Sequence, residues 1–315
     1  SGLELRVRGL HAQNKPAAEA LAGQRVALNI TGLRLSKEAI RRGDWVVHPA
    51  IHAPTAALDV RLSLLADAAP LRQDAEVHLH LGAAHVMGRV SMLDHDRLAP
   101  GDSALARLTL REPIGGLARD RFVLRDTGAT RTIGGGTVLD PFPPRRGRRT
   151  PQRLAQLAPL EHGDAAGALR GLLAEPPHWT DAAAFLRARN VPEPVHAGLV
   201  EAVPARAIGG LLLAPALFDR LRDAAVAALA AHHRTSPELP GLQAERLRMA
   251  LPDRLPPAGF GGVLQALVQE KTVAQDGPWF RLPQHQVSLS AQDQRIWSAA
   301  RPLLEADLFR PPRMR

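Results

Sequence analysis

The hydrophobic period changes once along this chain. It is two up to residue 140 and about 3.6 from residue 151, so two kinds of architecture share one polypeptide. Six short alternating runs (57–65, 76–82, 85–93, 104–110, 121–126 and 132–139) are separated by Pro, Gly and Asp turns. Runs of that length and spacing predict an all-β barrel over residues 56–140. Residues 1–50 hold three further runs, 3–10, 25–30 and 44–48, which are too few to close a barrel. They read as the C-terminal half of a second barrel, and the chain is expected to be cut at its start.

After residue 151 the stretch 198–215 (GLVEAVPARAIGGLLLAP) aligns without a gap to 266–283 (ALVQEKTVAQDGPWFRLP) at an offset of 68 residues. Three helices and a hairpin per repeat predict two tandem winged helices, 151–215 and 216–283. Residues 286–315 are expected to start a third copy that is cut short. The expected fold class is multidomain: all-β barrels followed by tandem α+β winged-helix modules.

Between the two halves lies PFPPRRGRRTPQR, residues 141–153, with five Arg and no acid against a net charge of +9 for the chain. Its prolines exclude a helix interior or a central strand, so it reads as an exposed basic linker. Arg145, Arg146, Arg148 and Arg149 are candidate phosphate contacts, and a plain solvated linker is the equally weighted alternative.

Several function classes drop out. No run is long and apolar enough to span a bilayer, and nothing suggests export, so a cytoplasmic protein is expected. The absence of cysteine removes disulfides, thiolate metal sites and cysteine nucleophiles. The three lysines follow Asn14, Ser36 and Glu270, so there is no Gly-Lys-Ser/Thr phosphate loop. Gly134, Gly135 and Gly136 precede VLDP rather than a helix, which fits a close strand approach better than a phosphate cradle. His78, His80 and His85 form an HxHx4H cluster, but no further ligand at a suitable spacing completes a zinc site. Polar strand-face residues, or donors to a polyanion, are the better reading, and no catalytic constellation stands out. The predicted third helices, around 194–202 and 261–270, lack Arg and Lys and each carries a Glu, so they suit protein contacts or spacing rather than groove reading.

Together HLHLGAAHVMGRV, RFVLRDTGATRTIGGGTVLDP, PPRRGRR and the winged-helix tail, with GLELRVRGLHAQN, AGQRVALN and IRRGDW, resemble the bacterial selenocysteine-specific elongation factors over essentially the whole chain. The resemblance implies a monomeric factor that binds GTP with Mg2+ and selenocysteinyl-tRNA, and brings them to the ribosome at a UGA codon marked by an mRNA hairpin. It places nucleotide, Mg2+ and hairpin binding in domains not expected in this chain, which would then have no catalysis of its own. It implies an aminoacyl-binding role for Arg25 in GQRVALN, with an ion pair to Glu19 or Asp44 as the plain alternative. It implies a tRNA-facing surface on the barrel, for which His80, His85 and Arg89 are the candidates, with packing roles as the alternative. A winged-helix DNA-binding regulator is the second reading, and a metal-dependent hydrolase on the barrel a third.

Overall fold

The computed structural model describes residues 2–33, 35–36, 39–289 and 291–306. The first strands, β1 (Arg6–Ala12), β2 (Lys15–Ala17) and β3 (Val26–Thr31), form one antiparallel sheet in the order β2-β1-β3. The expected strand over 44–48 is absent. That segment is unpaired and leads into a 3-10 turn at Pro49–Ile51.

The barrel follows. Its elements are β4 (Thr55–Leu64), β5 (Leu71–Arg72), β6 (Ala75–Leu81), β7 (Ala84–Met92), β8 (Arg97–Leu98), β9 (Ser103–Ile114), β10 (Arg121–Arg125) and β11 (Thr132–Asp140). Six of them close in the order β10-β11-β4-β9-β7-β6, while β5 and β8 form a separate two-stranded ladder. Strict alternation explains the closure. Leu58, Val60 and Leu62, Val77, Leu79 and Leu81, and Phe122 and Leu124 all point into one dry core. Strand β11 runs between β10 and β4 at a distance that only glycine permits. A Cβ on Gly135 would lie 2.6 Å from the Phe122 carbonyl oxygen, and one on Gly134 2.5 Å from that of Ser63. The triple glycine is a close-approach device, as its sequence context indicated.

The helical half contains α1 (Pro151–Leu160), α2 (Ala165–Ala174), β12 (Trp179–Asp181), α3 (Ala182–Ala188), α4 (His196–Ala202), β13 (Arg206–Ile208) and β14 (Leu211–Leu213). Then come α5 (Pro215–Thr235), β15 (Leu242–Gln243), α6 (Ala244–Ala250), α7 (Pro257–Gln269), β16 (Ala274–Asp276), β17 (Trp279–Arg281) and α8 (Ala291–Ala306). The strand orders β12-β14-β13 and β15-β17-β16 are the same topology twice. Shifted by 68 residues, Arg206–Ile208 falls on Ala274–Asp276 and Leu211–Leu213 on Trp279–Arg281, so the repeat read from sequence is the repeat of the wing hairpins. Of the third copy expected over 286–315 the described residues hold α8, and residues 290 and 307–315 lie outside them.

Compactness divides the chain into residues 1–171 with 184–196, and residues 172–183 with 197–315. The first unit corrects the linker reading. Arg153 is no linker charge. It sits in α1, behind a Thr150 cap whose Oγ1 accepts from the Arg153 N–H, and its side chain is buried. Arg153 donates to Asp59 Oδ2 at 2.6 Å and to Asp140 Oδ2 at 2.6 Å. Arg107 grips the same Asp59 through both oxygens, at 2.6 and 2.9 Å, and donates at 2.7 Å to the Pro144 carbonyl. The outer face of β4 and β9 is thus covered by the very segment expected to float free. Burial opposes the Arg153 charge, but Asp140 and Asp59 outweigh it and hold its pKa above the ordinary value. Arg61 pairs with Glu161, and Arg119 donates to the Gly163 carbonyl at 2.8 Å, securing the far end of α1.

Candidate functional site

Strands β6 and β7 pair His80 with His85 and His78 with Met87, and alternation turns the imidazoles outward. The His85 ring stacks on His80 at 4.6 Å and on His78 at 4.8 Å between centroids. Proton roles follow from the partners. The Thr127 carbonyl can only accept, so His78 Nε2, 3.1 Å away, carries the proton. In the neutral ring His78 Nδ1 is then an acceptor, and His85 Nε2 donates to it at 2.8 Å. His80 Nε2 is buried without a partner. Burial, then the proximity of His85, Arg125 and His78, push the His80 pKa below its ordinary value. His80 is therefore uncharged at neutral pH, and the N–H groups of His78 and His85 are engaged by the Thr127 carbonyl and by His78 Nδ1.

Arginines frame it. Arg125 pairs in register with His78. Arg89, exposed on β7, stands opposite Glu76, but Glu76 is taken at 2.9 Å by Arg111. His80, His85 and Arg89 thus share the outer face of one strand pair, as expected, with His78, Arg111 and Arg125 joining them. The sequence signal for the latter two was only their outward parity in the strand. Among the described residues no group of His, Asp or Glu is arranged to hold a metal ion.

His85 also lines a cavity of about 700 Å³ formed by residues 2–5, 40–54 and the barrel loop around Gly115. Arg41, Arg42, Arg187 and His52 bring positive or donor groups to it, and Glu4, Asp44 and Glu112 negative ones. Trp45 closes it by lying over Gly115, where an added Cβ would meet the indole at 2.6 Å. IRRGDW is therefore a wall of this cavity rather than a strand.

The remaining candidates stand apart from that face. Arg25 precedes β3, exposed, and its carbonyl accepts from the Gln13 N–H at 3.1 Å. No ion pair to Glu19 or Asp44 is present among the described residues. Arg145, Arg146, Arg148 and Arg149 are exposed, and Arg149 pairs with Asp96 at 3.0 Å.

In the second unit the first wing hairpin packs on the second winged helix. Gly209, at the wing tip between β13 and β14, has φ +56 and lies against α7: an added Cβ would come within 2.8 Å of the Ala258 carbonyl. A Cβ on Gly262 would in turn lie 2.6 Å from Gly209 Cα. Arg206 stacks over Phe218 at 3.8 Å and pairs with Glu270 at 3.1 Å. The first wing thus covers the glycine face of α7, the element that a winged helix would ordinarily present to a groove.

Comparisons with known proteins agree. The family description "Selenocysteine-specific elongation factor, beta-barrel domain" matches residues 58–145, and "Elongation factor SelB, winged helix" matches 226–282. A selenocysteine-specific elongation factor of Escherichia coli is 35% identical over 301 residues, covering 95% of this chain and 47% of the relative. That of Desulfomicrobium baculatum is 27% identical over 318 residues, covering 97% and 48%. An "Elongation factor Tu 2" of Streptomyces avermitilis is 29% identical over 143 residues, 44% of this chain. A crystal structure of a bacterial selenocysteine-specific elongation factor matches at TM-score 0.63 and 17% identity, over 98% of this chain and 48% of that one, which supports the fold. The chain spans about half the length of the selenocysteine-specific factors it matches.

Proposed function

This chain carries the barrel and winged-helix domains of the selenocysteine-specific elongation factor family, and from that we propose that it serves delivery of selenocysteinyl-tRNA to UGA codons marked by an mRNA hairpin. Its own share is a tRNA-facing barrel surface and a stiff winged-helix spacer. The observation that carries this reading is the covering of α7 by the first wing. With no Arg or Lys on α4 or α7, and α7 already packed, groove reading by these modules is disfavoured and the DNA-binding regulator with it.

On this face the charge an RNA backbone needs comes from Arg89 and Arg125, since the N–H groups of His78 and His85 are already given to the Thr127 carbonyl and to His78 Nδ1. Arg145, Arg146 and Arg148 add charge from the segment before α1. GTP and Mg2+ do not fit these residues, since no lysine follows a glycine, and no step proposed for this chain passes through a nucleotide. Among the described residues no helix is long and apolar enough to cross a membrane.

Arg25 provides the sharpest test. Selenocysteine differs from serine in being a selenolate at neutral pH, so a discriminating pocket favours a fixed cation, and Arg stays protonated where other bases do not. Carried in a full-length factor, Arg25→Ala is expected to narrow the preference for selenocysteinyl- over seryl-tRNA more than it weakens either complex. Equal loss of both affinities would return Arg25 to a positioning role.

A further inference from the structure

We infer that the β5–β8 ladder and the Arg-rich segment before α1 form a second RNA-backbone site, at the opposite end of the barrel from the histidine stack. The ladder has only two registered pairs, Leu71 with Leu98 and Arg72 with Arg97. Both leucines are buried and both arginines exposed. Two like charges directly opposite on one strand pair are unfavourable, and neither arginine has an ion pair among the described residues. A fold optimised for stability alone would place an acid at one of these positions. A polyanion bound across the pair removes the repulsion.

The neighbouring charge points the same way. Asp96, next to Arg97, pairs with Arg149 at 3.0 Å, which ties the RRGRR run to this ladder. The Arg107 bond to the Pro144 carbonyl fixes the start of that run on the barrel. Arg145, Arg146 and Arg148 are thereby held within about 14 Å of Arg149, given the reach of four residues. The nearby acids include Asp74, Asp94 and Asp96, and Asp74, two residues from Arg72, accepts from the Ser91 Oγ at 2.5 Å. Asp94 is engaged by the Leu105 N–H and by His95, which leaves the arginines in excess. His85 and Met92, near the two ends of β7, are roughly 24 Å apart at about 3.4 Å per residue. One phosphate therefore cannot serve both sites.

This site rests on the RNA-binding reading of the barrel, but a non-aminoacylated probe separates the two. The probe is a blunt 24-base-pair RNA duplex, titrated by fluorescence anisotropy from 50 to 300 mM NaCl, with heparin as a second polyanion. Arg72→Gln with Arg97→Gln should flatten the slope of log affinity against log salt by one to two units, at about 0.7 to 0.9 per phosphate. The same variant should keep or raise the Tm, because it relieves the repulsion, and should spare heparin binding more than RNA binding. An unchanged RNA slope overturns the proposal, as does a lowered Tm accompanying the affinity loss. Equal loss for heparin overturns the assignment to RNA. Failure of the selenocysteinyl-tRNA reading would instead appear in discrimination between charged tRNAs, which the duplex does not report.

Discussion

The two units hold their parts together by opposite means. In the first, α1 is fastened to the barrel by charge taken out of water: Asp59 is fully buried and is shared by Arg107 and Arg153, with Asp140 completing the set. In the second, the modules meet through absent side chains, the wing glycine Gly209 lying against Gly259 and Gly262 of α7, while its ion pairs are exposed. A buried ion network tolerates little displacement of its members, because each charge depends on its partners. A glycine seam depends on shape and tolerates no added volume. The barrel junction should therefore fail when charge is removed, and the winged-helix junction when bulk is added.

The largest expected effect follows from the charge side. Asp59→Asn keeps the volume but leaves Arg107 buried without a carboxylate and Arg153 with Asp140 alone. Breaking a buried pair in this way costs about 3 to 5 kcal/mol. Urea unfolding should show that loss in the barrel, with the second unit's hydrogen exchange unaltered. A loss below about 1 kcal/mol would mean that the network is solvated and the contrast between the units is wrong.

Adding bulk tests the other junction. Gly209→Val puts a branched Cβ against the Ala258 carbonyl at a residue with φ +56, so both clash and backbone strain oppose it. A cost of about 2 kcal/mol is expected, read as faster exchange of the α7 amides with barrel stability unchanged. Gly210→Ala is the control, since nothing lies within 4 Å of its Cβ position, although its φ of +79 carries the strain alone. If the two variants were equally destabilised, strain rather than interlock would account for Gly209.

Legibility from sequence divides along the same line. Alternation revealed all six barrel strands because the core is regular, and the 68-residue offset located both wings. Asp59 could not be recognised as buried: in ALDVRLSLL it holds the outward parity, and only the return of residue 153 covers it. Arg153 was counted with the exposed arginines for the same reason, since a contact across 94 residues leaves no period. The glycines of α7 cost helix stability locally, about 1 kcal/mol each, and the wing that explains them lies about 50 residues upstream. The 44–48 run alternates like a strand, yet Trp45 is used to cap Gly115 and no neighbouring strand pairs with it. The histidine spacing was visible, but which nitrogens carry protons needed the Thr127 carbonyl.

A second histidine cluster, in the winged-helix unit, gives the smallest expected effect and a contrast with the barrel stack. His233 stacks on His285 at 3.6 Å, and its Nε2 accepts the Leu282 N–H at 3.2 Å. Protonation would place a second N–H against that donor. Burial, followed by His285, His232 and Arg281, lowers its pKa to about 4. The sign is fixed by the order of the two pKa values. In the unfolded chain the ring titrates near 6.5, so between pH 6.5 and about 4 the unfolded state binds the proton first and stability falls as pH falls. The slope from one such group does not exceed about 1.4 kcal/mol per pH unit, and partial solvent exposure reduces it further. His233→Gln keeps an acceptor for Leu282 and removes the titration, so exchange protection of the α5 and β17 amides should become flatter over that window than in the wild type. The barrel amides, sensitive instead to His80, should respond to pH identically in both proteins. An equal pH response of α5 and β17 in wild type and variant would show that the proton enters elsewhere, and that the Leu282 bond survives acid.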